Sequence, residues 1–277
     1  MKPMPRQMML WVAAGLLVSV WVFPVLWALL TSFKTERDVL AYPPVLLFTP
    51  TLNNYREVLF GPASILPNLW SSLVVTCSAT ALTMAFAIPA AYALARLRYP
   101  FKRASGFYVL VTQMLPPVGL VIPYYLALQR LGALDTYSGM VTIYLTFSLP
   151  FAIWLMVSYF EDVPYEMEEA ALLDHAGRWG ALWHVILPQV QGGIAVTTVF
   201  VFLNAWNEFM FALTFVNSND SRTVPVSISL LSGASQYELP WGKIMAASVI
   251  VTLPLIAMVL AFQRKIVSGL TAGAVKG

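Results

Sequence analysis

Charged residues are scarce in this sequence. Asp, Glu, Lys and Arg make up only 10% of its 277 residues, against about 25% in an ordinary soluble domain. Hydrophobic residues reach 59%, and the formal net charge is only +3. A small and dispersed positive charge argues against a nucleic-acid-binding protein. Composition alone therefore indicates a protein that crosses a lipid bilayer several times.

Cysteine and histidine, which form disulfides and bind metals, are also scarce. The single cysteine, Cys77, lies in a hydrophobic stretch and cannot form an intrachain disulfide. The two histidines, His175 and His184, are nine residues apart in one loop, which gives little support for a metal site. The sequence has no GxxxxGK[ST] phosphate-binding loop. We therefore expect no metal, no bound cofactor and no catalysis on this chain, so any ATP hydrolysis must occur on another.

Long apolar runs dominate what is present. A helix needs about 20 mainly apolar residues to cross a bilayer, and six stretches meet this test: 9–31, 70–95, 106–128, 139–160, 188–216 and 244–262. The runs are continuous rather than alternating, which favours helices over barrel strands. The sequence therefore predicts an all-α polytopic membrane protein with six spans, forming one domain over residues 1–277.

Basic residues predict the orientation of these spans. Six spans place both termini on one side, and if that side is the cytoplasm, ten of the sixteen basic residues lie inside. The cluster RLRYPFKR, Arg96 to Arg103, supplies most of the asymmetry. We expect cytoplasmic termini and a solvated outer loop over the polar segment 217–241.

Prolines interrupt nearly every predicted span. A proline removes one backbone hydrogen bond and kinks a helix, although membrane helices tolerate it where neighbours satisfy the freed groups. Two interpretations stay open: the prolines are ordinary kinks in a packed bundle, or Pro116-Pro117 breaks the third helix beside a solute path.

The densest acidic cluster lies between the fourth and fifth spans, in residues 161–187. Asp162 or Val163 can cap a first helix there, and Pro164 suits the first turn. Gly177 can end that helix because glycine readily takes a positive φ. A helix–turn–helix on the cytoplasmic side is therefore predicted.

The second helix of this loop has an apolar stripe. Trp179, Leu182, Trp183 and Ile186 follow the i, i+3, i+4, i+7 spacing of one helix face, which suits packing on the bundle or the bilayer interface. Two interpretations of the whole loop stay open: a docking element for a partner, or a capped connector.

The loop resembles a known sequence signature. Glu169-Ala170-Ala171 begins it, Asp174 is its usual acid, and Leu187-Pro188 ends it. In these features the loop resembles the signature loop of permease subunits in binding-protein-dependent ABC importers. Val185 stands at the usual isoleucine and His175 at the usual glycine. Because histidine takes a positive φ only at some cost, either Gly177 makes the turn or the loop tip differs.

Two further stretches are similar to sugar permeases of this family. NAWNEFMFAL, Asn204 to Leu213, resembles the Asn-x-Trp-Asn-Glu/Asp-Phe segment of carbohydrate permeases. QRKIVSGLTAGAVKG, residues 263–277, resembles the C-terminal tail of the G-type permease subunit of maltose importers. Together with the six spans, the resemblance covers essentially the whole chain.

This resemblance implies a permease subunit of a sugar importer in a bacterial or archaeal plasma membrane, with maltose, trehalose or an oligosaccharide as cargo. It implies a heterodimer with a homologous permease, two copies of a cytoplasmic ATPase that binds ATP and Mg, and an extracytoplasmic sugar-binding protein. The implied coupling residues are Glu169, Ala170, Ala171, Asp174, His175, Ala176 and Gly177 in the loop, and Gly269, Thr271, Gly273 and Lys276 in the tail.

Glu208 is the one acid well inside a predicted span. A charge in the membrane costs about 2.5–3.5 kcal/mol on insertion scales, so we expect Glu208 to face the bundle interior. With Asn204, Asn207 and Gln113 it is a candidate lining of the solute path, and a structural hydrogen bond to the partner permease is the alternative. A rival function is a proton-driven secondary carrier that uses Glu208 and transports without ATP.

Overall fold

Helices form all the regular structure in the part of the chain that is described. The structure is a computed structural model that describes residues 6–233 and 239–274, with side chains described for 7–232 and 239–265. The all-α prediction is confirmed. In chain order the helices are α1 (Arg6–Ser32), α2 (Glu36–Val39), α3 (Asn53–Phe60), α4 (Leu66–Arg96), α5 (Lys102–Met114), α6 (Pro117–Arg130), α7 (Tyr137–Glu161), α8 (Tyr165–Leu173), α9 (Gly177–Ala181), a π-helical turn (Leu182–Ile186), α10 (Leu187–Gln189), α11 (Gln191–Trp206), α12 (Met210–Phe215), α13 (Val224–Gly233) and α14 (Trp241–Ala274).

Four helices are long and apolar enough to cross a membrane on their own. Among the described residues these are Gln7–Ser32, Leu66–Arg96, Tyr137–Glu161 and Trp241–Lys265. Each continues through an internal proline: Pro24, Pro89, Pro150 and Pro254 respectively. These four prolines therefore lie within continuous helices and do not break them.

The third predicted span is broken. Helices α5 and α6 meet at an angle of 98°. A residue that precedes proline avoids the helical region of backbone space, and two consecutive prolines impose this restriction twice. Leu115 (ψ 124°) and Pro116 (ψ 125°) are accordingly extended, and α6 begins at Pro117. The proline pair therefore breaks the span, as one of the two interpretations expected.

The fifth predicted span is also discontinuous. Gly177–Gln189 and Gln191–Trp206 meet at 81°, and a second interruption separates α11 from α12 at residues 207–209. The number of spans reaches six only if each of the two bent pairs is one span. The precise count of six stays a prediction.

The sixth span and the outer loop before it differ from their predicted form. The sixth span was expected to end at 262, but α14 continues to Ala274, so the predicted tail residues Gly269, Thr271 and Gly273 extend this helix. Lys276 lies outside the described residues. The expected outer loop over 217–241 contains α13, a helix with Pro225 in its first turn and with Val224 and Val226 buried.

The chain divides into two compact units, residues 1–66 with 227–253, and residues 67–226 with 254–277. The expectation of one domain stays a prediction. In the first unit, Asn54 of α3 donates hydrogen bonds to the carbonyl oxygens of Ser32 (2.9 Å) and Lys34 (2.8 Å). Glu57 forms an ion pair with Lys243 at 2.5 Å. The buried apolar core of this first unit consists of Val58, Ile65, Ala246 and Ala247.

The second unit has two apolar cores. Helix α7 packs against α5 and α11, and Gly193 of α11 allows the close approach, because a Cβ atom there would collide with the Tyr159 ring. One core lies beside the α8–α10 region and the other surrounds Tyr144 and Phe211. The members of the first core include Met84, Tyr92, Met156, Phe160, Leu182, Ile186 and Val201, and those of the second include Val75, Leu128, Met140, Tyr144, Phe211 and Phe215.

Candidate coupling loop and solute cavity

Helix α8 begins without a side-chain cap. Its N-cap is Pro164, whereas Asp162 is the C-cap of α7. The expectation that Asp162 or Val163 caps this helix is therefore wrong. The reason is that α7 continues to Glu161, and Asp162 still has helical backbone angles as its C-cap. Glu166 and Glu168 lie in the first turn of α8, where the helix dipole favours negative charge.

Helix α8 ends in a Schellman motif at His175. The His175 amide donates to the Leu172 carbonyl (3.2 Å) and the Ala176 amide to the Ala171 carbonyl (3.1 Å), which are the two bonds that define this motif. His175 occupies its left-handed position with φ 58°, and Gly177 also has a positive φ of 63° as α9 begins. Both residues that the sequence offered for the turn are therefore used, one after the other.

The tip of the loop is exposed. Glu169, Ala170, Asp174, His175, Ala176 and Gly177 are all accessible to solvent. Ala171 is the exception, with only 7% of its surface exposed. Six of the seven predicted coupling residues therefore lie where a partner protein can touch them, and Ala171 packs inwards.

Glu168, which the sequence did not single out, anchors α8 to the membrane helices. Only 8% of its surface is exposed. Its carboxylate accepts a 2.5 Å hydrogen bond from the Tyr92 hydroxyl, and its Oε2 lies 3.8 Å from Nε of Arg96. Tyr92 and Arg96 are four residues apart on α4, which places both on one face of that helix.

Arg96 also holds the C-terminal end of α7. Its Nη2 donates to the carbonyl oxygens of Phe160 (2.5 Å) and Val163, and its guanidinium carbon lies 4.2 Å from the centre of the Tyr165 ring. The arginine side chain is fully buried. A single guanidinium from the last turn of α4 therefore contacts the end of α7 and the start of α8.

The predicted apolar stripe of the second loop helix divides into two halves. Leu182 and Ile186 are buried in the core, whereas Trp179 and Trp183 are 66% and 59% exposed. Leu182–Ile186 forms a π-helical turn, which has more residues per turn than an α-helix. The α-helical spacing used for the prediction therefore does not apply across this segment.

Three of the four predicted pathway residues meet at one cavity. The cavity has a volume of about 820 Å³ and is formed by residues of α5, α6, α7, α11 and α12, with Gln113, Asn204 and Glu208 among them. Asn207 is not part of its lining and donates to the Leu203 carbonyl of its own helix at 2.8 Å. Aromatic side chains complete the wall, including Tyr108, Tyr124, Phe147 and Phe211.

Glu208 caps α12, a role that the sequence did not indicate. Its carboxylate accepts hydrogen bonds from the Phe211 amide (2.7 Å), the Ala212 amide (3.0 Å) and the Tyr144 hydroxyl (3.0 Å). Free amides at a helix start are the usual partners of a capping acid. The same side chain thus lines the cavity and fixes the start of the short helix that forms part of its wall.

Asp135 ties the α6–α7 loop to the segment after α12. Its carboxylate accepts from the amides of Asn217 (3.1 Å) and Ser218 (3.0 Å) and from the Ser218 hydroxyl (2.9 Å). Burial raises the pKa of Asp135, but the hydrogen bonds from Ser218 and Asn217 and the charge of Arg222 outweigh it, so the pKa lies below its usual value. The ionised form is therefore the one that holds these two loops together.

A known family accounts for these features. The family of binding-protein-dependent transport system inner membrane components matches residues 84–271, which is more than half of the chain and includes the loop, the cavity helices and most of α14. The chain belongs to this family. It is a multi-pass membrane protein, and the resemblance stated from the signature loop is confirmed.

Individual relatives extend the likeness of this permease beyond the family match. It is 38% identical over 273 residues to the trehalose/maltose transport system permease protein of Thermococcus litoralis, with 98% of each chain covered. A crystal structure of a bacterial ABC transporter involved in the import of alginate has a TM-score of 0.78 and 21% identity, and covers 95% of this chain and 99% of that one. A second structure, of an alginate ABC transporter with a pentasaccharide-bound periplasmic protein, has a TM-score of 0.66 and 14% identity, with 93% of each chain covered. At these identities the solved structures establish the fold.

Proposed function

We propose that this permease subunit carries a di- or oligosaccharide of the trehalose/maltose class across the membrane. The proposal is supported by the 38% identity with a trehalose/maltose permease over nearly the full length of both chains. The cavity of about 820 Å³ lies within the range of roughly 300–1,000 Å³ typical of small-molecule sites. Its wall combines aromatic rings with Gln113, Asn204 and Glu208, and such mixed walls suit a solute that has both hydroxyl groups and apolar ring faces.

Membership of this family supports further subunits for the importer. A homologous permease would form the other half of the pathway, an extracytoplasmic sugar-binding protein would deliver the cargo, and two copies of a cytoplasmic ATPase would bind ATP and Mg. The chain would then have both termini in the cytoplasm. The solved alginate transporter that includes its periplasmic protein supports a delivering partner of this kind.

The loop would couple the ATPase to the membrane helices. The coupling role is supported by the difference between the exposed and the buried side of α8. Glu169 and Ala170 are exposed at the tip, whereas Glu168 is bound to Tyr92 and Arg96 beneath it. A partner that grips the exposed side would therefore pull directly on α4 and α7. The tail residues Gly269 to Lys276 are a second, weaker candidate contact.

The test is a mild-detergent co-purification of the tagged chain from its native membranes. Ala170→Asp places a charge on the exposed face of α8, and we expect this variant to lose the ATPase and retain the second permease. Ala171→Asp is unsuitable because Ala171 is buried. Ala104→Asp, at an exposed alanine near the start of α5, is the matched control and should retain every partner. Mass spectrometry identifies the chains that remain.

ATP-dependent sugar uptake by the reconstituted complex is the second measurement. Ala170→Asp should abolish uptake, and Ala104→Asp should leave it intact. A chain that purifies alone and transports without ATP would refute the importer and restore the proton-driven carrier. That rival is not proposed, because the Glu208 carboxylate accepts three hydrogen bonds, two from the first amides of α12 and one from the Tyr144 hydroxyl.

A further inference from the structure

Lys34 is a buried cation just beyond the end of α1. Only 4% of its surface is exposed. Its ammonium lies 5.0 Å from the centre of the Trp27 ring and 5.2 Å from that of Phe48. Cation–π contacts at these distances stabilise a lysine, but by less than the cost of removing a charge from water.

The Lys34 ammonium has no anionic partner among the residues with described side chains. In the part of the chain with described side chains, no carboxylate lies within 4.0 Å of Lys34, and its ammonium donates no hydrogen bond. Lysine is almost never buried unless it is paired. The geometry therefore leaves hydrogen-bond donors of a buried cation available to a group from outside the chain.

A cavity lies beside this ammonium. Its volume is about 320 Å³, and its lining includes Lys34, Trp27, Thr31, Asp38 and Trp241. Asp38 is half-buried and accepts a 2.7 Å hydrogen bond from the Thr35 hydroxyl. The wall therefore offers one cation and one carboxylate, which suits a small occupant that has an anionic group and a cationic group.

The cavity lies beside the ends of two candidate membrane spans. Lys34 follows the last residue of α1 by two positions, and Trp241 is the first residue of α14. Both helices are candidate spans, so their ends are expected at the level of the lipid headgroups. Tryptophan and lysine are the residues that anchor spans at that level.

We propose that this cavity binds the headgroup of a zwitterionic glycerophospholipid. The lipid phosphate accepts hydrogen bonds from the Lys34 ammonium, and the protonated amine of the headgroup binds the Asp38 carboxylate. The rings of Trp27 and Trp241 border the headgroup. The site shares no lining residue with the solute cavity, and it gives this permease a preference for a particular lipid.

Native mass spectrometry of the full-length chain tests the proposal. The chain is exchanged into vesicles of phosphatidylethanolamine, phosphatidylcholine and phosphatidylglycerol in equal amounts, and is then extracted in mild detergent. We expect wild type to retain phosphatidylethanolamine preferentially. Lys34→Met keeps the apolar stem but removes the charge, and should lower retention of this lipid about tenfold or more, as expected for one charge-assisted hydrogen bond.

Two further variants make the result specific. Asp38→Asn still accepts from Thr35 but loses the carboxylate charge, so it should retain phosphatidylethanolamine and phosphatidylglycerol equally. Arg37→Gln removes an exposed neighbouring cation that is not part of the cavity, and should behave as wild type. Thermal unfolding of each variant confirms that it is folded.

Two outcomes would overturn the proposal. One is equal retention of all three lipids by wild type and by Lys34→Met. The other is protection of the chain against thermal unfolding by inorganic phosphate, dependent on Lys34, with no phospholipid retained above the level of Lys34→Met. In that case the cavity binds a free anion and not a lipid.

Discussion

Replacing Arg96 with methionine would test whether the buried guanidinium joins the loop to the membrane helices. The variant removes the two hydrogen bonds to the Phe160 and Val163 carbonyls and leaves Glu168 buried without a counter-charge. Breaking a buried ion pair by removing one partner costs about 3–5 kcal/mol, and we expect a loss of this size in the free energy of unfolding.

Glu168→Gln is the informative comparison. Glutamine still accepts from the Tyr92 hydroxyl, and Arg96 still donates to both carbonyls, so we expect a smaller loss of about 1–3 kcal/mol. The double variant Arg96→Met/Glu168→Gln no longer leaves either charge unpaired. Residues in one network typically show a coupling energy of about 0.5–3 kcal/mol, so the double variant should lose less than the sum of the single losses.

Denaturant unfolding in detergent, followed by tryptophan fluorescence, gives the free energies. Co-purification of the ATPase shows whether the exposed tip still binds, and sugar uptake shows whether the bound ATPase still drives transport. We expect Glu168→Gln to keep the ATPase and to transport less sugar per ATP hydrolysed. Additive losses in the double variant, or unchanged transport per ATP in Glu168→Gln, would refute the reasoning.

Three other substitutions test separate parts of the structure. His175→Gly should raise the free energy of unfolding by about 1 kcal/mol, because the left-handed conformation costs a residue with a Cβ atom about 1–2 kcal/mol and glycine loses part of that gain through its larger backbone entropy; a loss of stability in denaturant unfolding would contradict the Schellman motif. Glu208→Gln replaces the capping carboxylate by a weaker acceptor, so amide hydrogen exchange at Phe211 and Ala212 should accelerate while uptake stays dependent on ATP; unchanged exchange would argue against the cap. Asp135→Asn removes a group whose pKa is lowered by folding, and such a group contributes stability above its unfolded pKa of about 4 that is lost as the pH falls through its folded value. Wild type should therefore be more stable than Asp135→Asn at pH 6, and this difference should shrink towards pH 2; a difference that does not change with pH would contradict the assignment.

The sequence predicted the long helices because their apolar runs are uninterrupted by anything except single prolines. The prediction from apolar runs was wrong where local backbone effects interrupt a run. Two prolines in succession turned one predicted span into two helices at 98°, and Glu208 caps the start of a separate short helix, α12, inside the fifth span. The length and hydropathy of a run do not reveal either interruption, because the run is still mainly apolar on both sides of it.

The exposed tip of the loop was predictable, but its anchor was not. Glu169 was chosen from a sequence pattern, whereas Glu168 acts through residues of α4 that lie more than 70 positions earlier in the chain. The spacing of Tyr92 and Arg96 shows that both lie on one helix face, but it does not say which helix that face meets. His175 shows the opposite case, in which the sequence left two residues for the turn and the chain uses both.

The proline pair that bends the third span also changes the chemistry of the cavity wall. In a continuing helix, the amides of residues 116 and 117 would donate to the carbonyls of Thr112 and Gln113. Both positions are proline and have no amide hydrogen, and Thr112 and Gln113 are part of the cavity lining. Two backbone oxygens thus lose their intrahelical donors where the solute is proposed to pass. Sugar hydroxyls are donors, so we expect these two carbonyl oxygens to serve as acceptors for the solute, a role that no side chain in the sequence reveals.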